Sequence, residues 1–262
     1  LKIATWNINS VRLRLPLALR LLDELQPDVL CLQETKTPDE FFPDEAFAAH
    51  GYEHAHIHGM KSYNGVAIVS RLPLEARAIR HSCGKEDCRH IAATAPDGTE
   101  IHCVYIPAGG DNPDPEVNDK FAHKLRFVDE LAEWWREARS AGRPMVLVGD
   151  LNIAPLETDV WSHKQLLTVV SHTPVEVEKF TRMQDSIGWI DAVRHFVPAE
   201  EKLFTWWSYR NRDWRASDRG RRLDHAWVTG PLAGRLRSVA VLKDARDWPT
   251  PSDHVPVMIE LG

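Results

Sequence analysis

The chain has 262 residues, of which 43% are hydrophobic and 27% charged, with 38 acidic against 32 basic side chains and a formal charge of −6. This is ordinary globular usage, and no apolar run approaches the roughly 18 residues of a membrane span, which excludes a transmembrane protein and a disordered tail. The opening LKIATWNINS has no basic flank followed by an apolar core, so no secretory signal is expected and cytoplasmic residence is the default.

After the first strand-like run, Ala18, Leu21, Leu22 and Leu25 recur at helical spacing. Pro16 is tolerated in the first turn and Pro27 closes the segment, which predicts one amphipathic helix. Val29 to Leu32, Val66 to Val69, Ile101 to Ile106, Met145 to Val148 and Val255 to Ile259 are short, β-branched-rich apolar runs of the kind that form buried strands. Residues 52 to 106 read as strand and turn without a helix, and AGGDNPDPE (Ala108 to Glu116) as a surface turn. A second helix is predicted from about Asn118 to Arg139, with Phe121, Leu125, Val128, Ala132 and Trp135 as its apolar stripe. The stretch 156 to 194 reads as mainly helical with turns. Without a linker, low-complexity tract or repeat, the chain is expected to be a single domain over 1–262, with sheets covered by helices.

Four cysteines are too few for a disulfide framework, and Cys31 and Cys103 lie in apolar strand-like runs where a thiol packs as a small hydrophobe. The segment HSCGKEDCRH around Cys83 and Cys88 holds two thiols and two imidazoles, but its spacing matches no paired zinc knuckle. A polar hairpin tip is the plainer expectation.

Carboxylates and amides gather at strand ends: Asn7 and Asn9 after IATW, Glu34 after DVLCLQ, Asp150 and Asn152 beside MVLVG, Asp224 in RRLDHAWV, and Asp253-His254 before VPVMIE. Polar groups so close to core strands are costly unless hydrogen-bonded or bound to a cation. Each alone is an ordinary turn former; together they ask for a shared site. Oxygen donors suit a hard cation, Mg²⁺ or Mn²⁺, and the scarcity of His and Cys argues against catalytic zinc. An imidazole beside a carboxylate can hold one tautomer and donate a proton to a phosphate oxygen. No GxSxG elbow or GxxxxGK[ST] loop accompanies the set, and Gly149 leaves the backbone before Asp150 free to approach a ligand. Water attacking phosphorus is the economical mechanism.

The ordered blocks TWNINS (5–10), LQETK (32–36), YNGVAIVSR (63–71), VYIPAGG (104–110), VGDLNIAP (148–155), RRLDHAWV (221–228) and PSDHVPVMIE (251–260) resemble the exonuclease III family of apurinic/apyrimidinic endonucleases, within the wider endonuclease/exonuclease/phosphatase superfamily. The resemblance runs from the first residue to the last. It implies a four-layer α/β sandwich, two packed mixed β-sheets flanked by helices, with a metal site at one edge.

By position, the resemblance makes Glu34 the principal metal carboxylate, helped by Asn7 and Asp253, with Asn9 an indirect ligand at best. It makes Asp150 the residue that deprotonates or orients the attacking water, with Asn152 beside it and Asn7 holding its carboxylate. Asp150, Asn152 and His254 are implied contacts of a second or migrating metal. His254, oriented by Asp224, and Tyr105 are implied phosphate ligands. The implied reaction is Mg²⁺-dependent hydrolysis of DNA 5′ to abasic sites, with 3′-phosphodiesterase and 3′ to 5′ exonuclease activity, by a monomer acting on double-stranded DNA with abasic sites or blocked 3′ ends.

DNA binding by an acidic chain requires a local basic strip. Ser208 to Asp224 holds Arg210, Arg212, Arg215, Arg219, Arg221 and Arg222 against three aspartates, interleaved with Tyr209 and Trp214 and preceded by Trp206 and Trp207. The resemblance makes Trp206, with Leu223 beside it, a wall of the pocket for a flipped-out abasic sugar. Trp207 reads equally as core, and Trp248 as a further wall or as loop packing. Arg221 stands where a relative has tryptophan, and Asp111 near where that relative inserts arginine, departures that bear on the balance of activities. A same-fold hydrolase of RNA, inositol phosphate or sphingomyelin, and a non-catalytic nucleic-acid-binding scaffold, are the competing readings.

Overall fold

The computed structural model describes all 262 residues, Leu1–Gly262. In chain order the elements are β1 (Lys2–Asn7), α1 (Leu15–Leu25), β2 (Val29–Gln33), α2 (Asp44–Ala48), β3 (His54–His58), β4 (Val66–Ser70), β5 (Glu75–Ile79), β6 (His90–Thr94), β7 (Glu100–Tyr105), α3 (Asp119–Ala138), β8 (Met145–Asp150), α4 (His163–Leu166), α5 (Pro174–Asp185), β9 (Ile190–Asp191), α6 (Trp214–Ser217), β10 (Asp224–Val228), α7 (Gly230–Ala233), β11 (Leu236–Val241) and β12 (Val257–Leu261). The strands form two six-stranded sheets, ordered β11-β12-β1-β2-β4-β3 and β5-β6-β7-β8-β10-β9. Each is antiparallel except at its centre, where β1 runs parallel to β2 and β7 to β8.

Strand alternation builds the layers. Ile3, Cys31, Ile68, Ile101, Cys103, Val148, Ala226 and Ile259 fill the space between the sheets. Ala4, Trp6, Leu30 and Leu32 turn outward onto α1, while Val104, Leu147 and Trp227 meet α3 and α5. Helix, sheet, sheet and helix make the four layers that the resemblance implies. No helix is long and apolar enough to cross a membrane.

Helix α1 ends at Gln26, in the left-handed conformation, whose N–H bonds the Leu22 carbonyl just before Pro27. The Asn118 side chain caps α3 by accepting from the Lys120 N–H, and all five residues of the expected stripe are buried. Strand β12 starts two residues later than expected, because Pro256 has no N–H for the ladder. Gly149 also has a different reason from the expected one. A Cβ there would lie 1.9 Å from the Val104 carbonyl oxygen, so glycine is required by the contact between β7 and β8.

Cys31 and Cys103 are core, as expected. The Cys83/Cys88 segment is less polar than a hairpin tip should be. The Cys83 N–H donates to Glu130 on α3 at 2.7 Å, and Cys88 is 6% exposed with its thiol 3.5 Å from the Gly59 carbonyl oxygen. Burial pushes both thiols up to about 11, and neither joins a three-residue metal-binding group.

Far from the polar rim, Glu100 at the start of β7 meets Arg139, Arg143 and His102. Burial opposes its charge, but these partners hold the carboxyl at about 2 against an ordinary 4.5. A depressed carboxyl stabilises above its unfolded value and loses that contribution as pH falls through the folded one. Glu100→Gln should therefore cost about 1–2 kcal/mol at pH 7, after discounting for screening around exposed Arg143, and close to nothing near pH 2. Urea titrations at both pH values check this; an equal loss at both would remove charge as the cause.

Candidate active site at the rim of the two sheets

The inward-facing rows of the strands change from apolar to polar at one end of the sandwich. On β1 the row is Ile3, Thr5, Asn7; on β7 it is Ile101, Cys103, Tyr105; on β8, Val146, Val148, Asp150; on β10, Val228, Ala226, Asp224. Register aligns the ends, since Asp150 pairs with Tyr105 on one side and with Asp224 on the other. Glu34 follows β2 immediately and Asn152 stands two residues after the end of β8, with φ of 51° and 54°. These left-handed turns carry strain at a functional rim.

Asn7 is fully buried and ties the two sheets together there. Its Nδ2 donates to Glu34 Oε1 at 3.0 Å and to Asp150 Oδ2 at 2.9 Å. Asp150 also accepts from the backbone N–H and the side-chain amide of Asn152, at 3.0 and 3.1 Å. Burial, with Asp224 and Glu34 nearby, pushes the Asp150 carboxyl up to about 7 in spite of His254 and Asn7. His254 Nδ1 lies 2.8 Å from Asp224 Oδ2, with Nε2 3.6 Å from Asp150 Oδ2. Burial opposes the imidazolium, but Asp224 and Asp150 outweigh it and push the group up to about 10. His254 is thus a buried cation aimed at the rim.

Glu34 is ionised at neutral pH: burial opposes its charge, but Lys36, then Asn7 and Tyr105, hold it low. The Tyr105 hydroxyl donates to Glu34 Oε1 at 2.8 Å, and Lys36 lies 2.7 Å from Oε2. Lys36 also donates to Asn9 Oδ1, while the Asn9 amide donates to Asp253 Oδ1. Asn9 therefore links the two carboxylates. Trp206 Nε1 donates to Asp253 Oδ2 at 2.9 Å.

The donor set fits a hard cation. Carboxylate oxygens of Asp150 and Asp224 lie within 4.8 Å of one another, and the buried Asp224 Oδ1 has no hydrogen-bond partner. Four carboxylates against His254 and Lys36 leave negative charge in excess, the condition an oxygen-ligated divalent ion relieves.

These groups open into a cavity of about 670 Å³ that Glu34, Tyr105, Asp150, Asp253 and His254 share with Trp206 and Leu223. The arginines sort into two sets. Arg210, Arg219 and Arg221 line the cavity, and Asp111 stands at its wall. Arg222, expected at the DNA surface, is 0% exposed and pairs with Asp191 at 2.6 Å and Asp159 at 3.6 Å, so it is a structural cation. Arg215 is taken by Asp244 and Asp247. The basic strip is correspondingly thinner than its sequence charge. Trp207 and Trp214 are core, and Trp248 packs edge-on against Trp6 instead of walling the site, because Val255 and α1 enclose it.

Several positioning groups carried no signal of their own. The Ser252 hydroxyl donates to the Asn7 carbonyl at 2.6 Å and accepts from the His254 N–H, and the Trp6 indole donates to the His254 carbonyl. Thr205 Oγ1 accepts from the N–H groups of Leu223 and Asp224. Lys124 reaches from α3 to the Asn152 carbonyl at 2.8 Å. Trp6 lies within TWNINS and Ser252 within PSDHVPVMIE, but Thr205 and Lys124 lie where only the tertiary structure brings them to the rim.

The pattern of the Endonuclease/Exonuclease/phosphatase family matches residues 4–254. Exodeoxyribonuclease III of Haemophilus influenzae is 31% identical, with 99% of each chain covered. An AP endonuclease from Archaeoglobus fulgidus superposes with a TM-score of 0.92 at 31% identity, covering 100% of this chain and 99% of that one. The 3′ phosphatase NExo from Neisseria, bound to a product DNA hairpin, gives 0.91 at 33% identity over 100% and 99%. With its fold, its rim of carboxylates and these full-length similarities, the chain belongs to the endonuclease/exonuclease/phosphatase family.

Proposed function

We propose that this nuclease is a Mg²⁺-dependent DNA repair phosphodiesterase that incises 5′ to abasic sites and trims blocked 3′ ends. The observation that carries the reading is Asn7 joining Glu34 to Asp150, opposite His254 held by Asp224, in one cavity lined by unpaired arginines. Asp150 takes the proton of the attacking water, a role that burial and its like-charged neighbours suit by raising its basicity. His254 presents an imidazolium to the phosphate oxygens, and Asp224 accepts from its Nδ1–H and so holds the ring orientation and the charge. Asn7 and Asn152 hold the Asp150 carboxylate in line, and the Tyr105 hydroxyl stands beside Glu34 to reach the same phosphate.

Glu34, Asn7 and Asp253 would hold Mg²⁺, with Asp150 and Asn152 as contacts of a second or migrating ion, which His254 would join only after losing its Nε2 proton. When bound, the ion neutralises phosphoryl charge and the leaving 3′ oxygen. Mn²⁺ fits the same donors. Trp206 and Leu223 supply an apolar wall for an unstacked sugar, Arg210 and Arg219 supply charge to the backbone, and Arg221 adds a guanidinium to the same cavity wall. Glu34→Gln should raise the Mg²⁺ concentration for half-maximal activity about tenfold; an unchanged metal titration would take Glu34 out of the ligand set.

The decisive assay uses an end-labelled duplex with one abasic site, in Mg²⁺ and in chelator, beside an undamaged duplex with a recessed 3′ end. A single cut 5′ to the lesion, absent in chelator, is expected, with slower trimming of the undamaged end. Binding without cutting would turn the reading to a scaffold, and no binding would send the search to other phosphodiesters.

A further inference from the structure

Arg221 and Arg222 are adjacent in sequence and opposite in circumstance. Arg222 points into the protein and finds two carboxylates. Arg221 points into the cavity and finds none. Its Nη1 donates to the Val170 carbonyl at 2.9 Å and to Ser171 Oγ at 2.8 Å, both neutral acceptors. The guanidinium carbon lies 5.2 Å from the centre of the Trp206 ring. Nε is buried without a partner, whereas Nη2 is neither buried nor bonded within the protein. Burial pulls this guanidinium below its ordinary value, while Asp191 and Asp159 more than offset burial at Arg222. Glu176, the carboxylate that opposes the lowering at Arg221, is already paired with Lys124 and does not touch the guanidinium; a half-buried cation with no carboxylate in contact is costly, and a substrate anion would relieve that cost.

The position of the side chain is fixed by backbone pairing. Arg221 pairs with Trp206, and Trp206 pairs in turn with His254, so the three lie side by side on neighbouring segments with Trp206 in the middle. Arg221 therefore sits on the same cavity wall as the phosphate-facing imidazole, on the far side of Trp206. The hold on Arg221 is itself specified: Ser171, a non-glycine residue, is kept at φ 89° with its hydroxyl on the guanidinium. Its N–H is fixed by Glu176 at 2.9 Å.

Resting on the function proposed above, we infer that Arg221 is a specificity-determining residue that makes the pocket beside Trp206 favour a 3′-terminal phosphate monoester over a phosphodiester followed by a neutral sugar. In an internal diester, the phosphate oxygen facing the pocket is esterified to the next sugar, which is uncharged. In a terminal monoester that oxygen is anionic. A pocket walled by Trp206 and Leu223 alone would accept the sugar; a guanidinium across it presents N–H donors and positive charge where the sugar would lie and rewards the extra anionic oxygen.

The test compares hairpin duplexes ending in 3′-phosphate and in 3′-hydroxyl, bound by full-length protein in chelator and read by fluorescence anisotropy. Because the rim carboxylates repel the additional charge, the readout is the ratio of the two affinities and its change on substitution. Arg221→Gln, which keeps a donor for Val170, should lower the phosphate-to-hydroxyl ratio about tenfold. Arg221→Lys should lower it less, since charge survives but the fork does not. In Mg²⁺, the ratio of 3′-phosphate removal to abasic-site incision should fall in the same order. Equal weakening of both hairpins would make Arg221 a general backbone contact and overturn the inference, as would an unaltered ratio in variants with wild-type melting curves. If the wild-type protein binds neither hairpin and cuts no abasic duplex, the proposed function fails and the inference with it. Abasic incision by the wild type with an unchanged ratio in Arg221→Gln sinks the inference alone.

Discussion

Asp150→Asn is expected to lower turnover on abasic duplex by roughly a thousandfold or more while leaving DNA binding intact or tighter. Asp150 is 1% exposed, accepts hydrogen bonds from Asn7 and Asn152, and is the carboxylate nearest His254 Nε2, at 3.6 Å. The amide cannot take a proton from water, which removes the general base. It also removes one negative charge from a cavity that must receive a phosphate, so affinity should not suffer. The amide nitrogen will face the donors of Asn7 or Asn152, a mismatch partly offset by relief of repulsion from Asp224 and Glu34. Stability should thus stay within about 1–2 kcal/mol of the wild type. Single-turnover cutting, anisotropy and thermal melting separate the three statements. Retention of a tenth of the activity would refute the base assignment.

The largest stability effect is expected from Lys124→Met. Lys124 and Glu176 are both fully buried, 2.5 Å apart, joining α3 to α5. Lys124 also donates to the Asn152 carbonyl at 2.8 Å and the Ala108 carbonyl at 3.3 Å, while Glu176 accepts from the N–H groups of Ser171 and Thr173. Removing one partner leaves an uncompensated buried charge and should cost about 3–5 kcal/mol in urea unfolding. The double variant Lys124→Met, Glu176→Gln should recover part of that loss, because no lone charge then remains. Activity of the single variant should fall even where it is folded, since the loop after Asp150 loses its anchor. A loss under about 1 kcal/mol would mean that water or a rearranged Glu176 replaces the ammonium.

The central strands, helices α1 and α3 and the ordered polar residues at strand ends were legible because they rest on local periodicity and on blocks of sequence, whereas β9, in a stretch expected to be mainly helical, and β11 were not. Helix α3 shows how far this goes: cap, length and apolar stripe all follow from side chains within one element. The candidate site was legible as a set, since Asn7, Glu34, Asp150, Asp224 and His254 each stand at or beside a strand end, and two packed sheets bring those ends to one rim. Gly149 was legible as special but for the wrong reason, since the atom that excludes a Cβ belongs to another strand.

The arginines mark the boundary. By itself the sequence determined the alternation of apolar and polar residues, and with it the layers and the supply of oxygen donors at the ends of strands. Charge along a segment gave Arg215, Arg219, Arg221 and Arg222 equal standing. Only the tertiary structure decided that Arg222 meets Asp159 and Asp191, that Arg215 meets Asp244 and Asp247, and that Arg219 and Arg221 face the cavity. The physical reason is that a charge takes its meaning from its nearest counter-charge and its access to water, and both are supplied by residues distant in sequence.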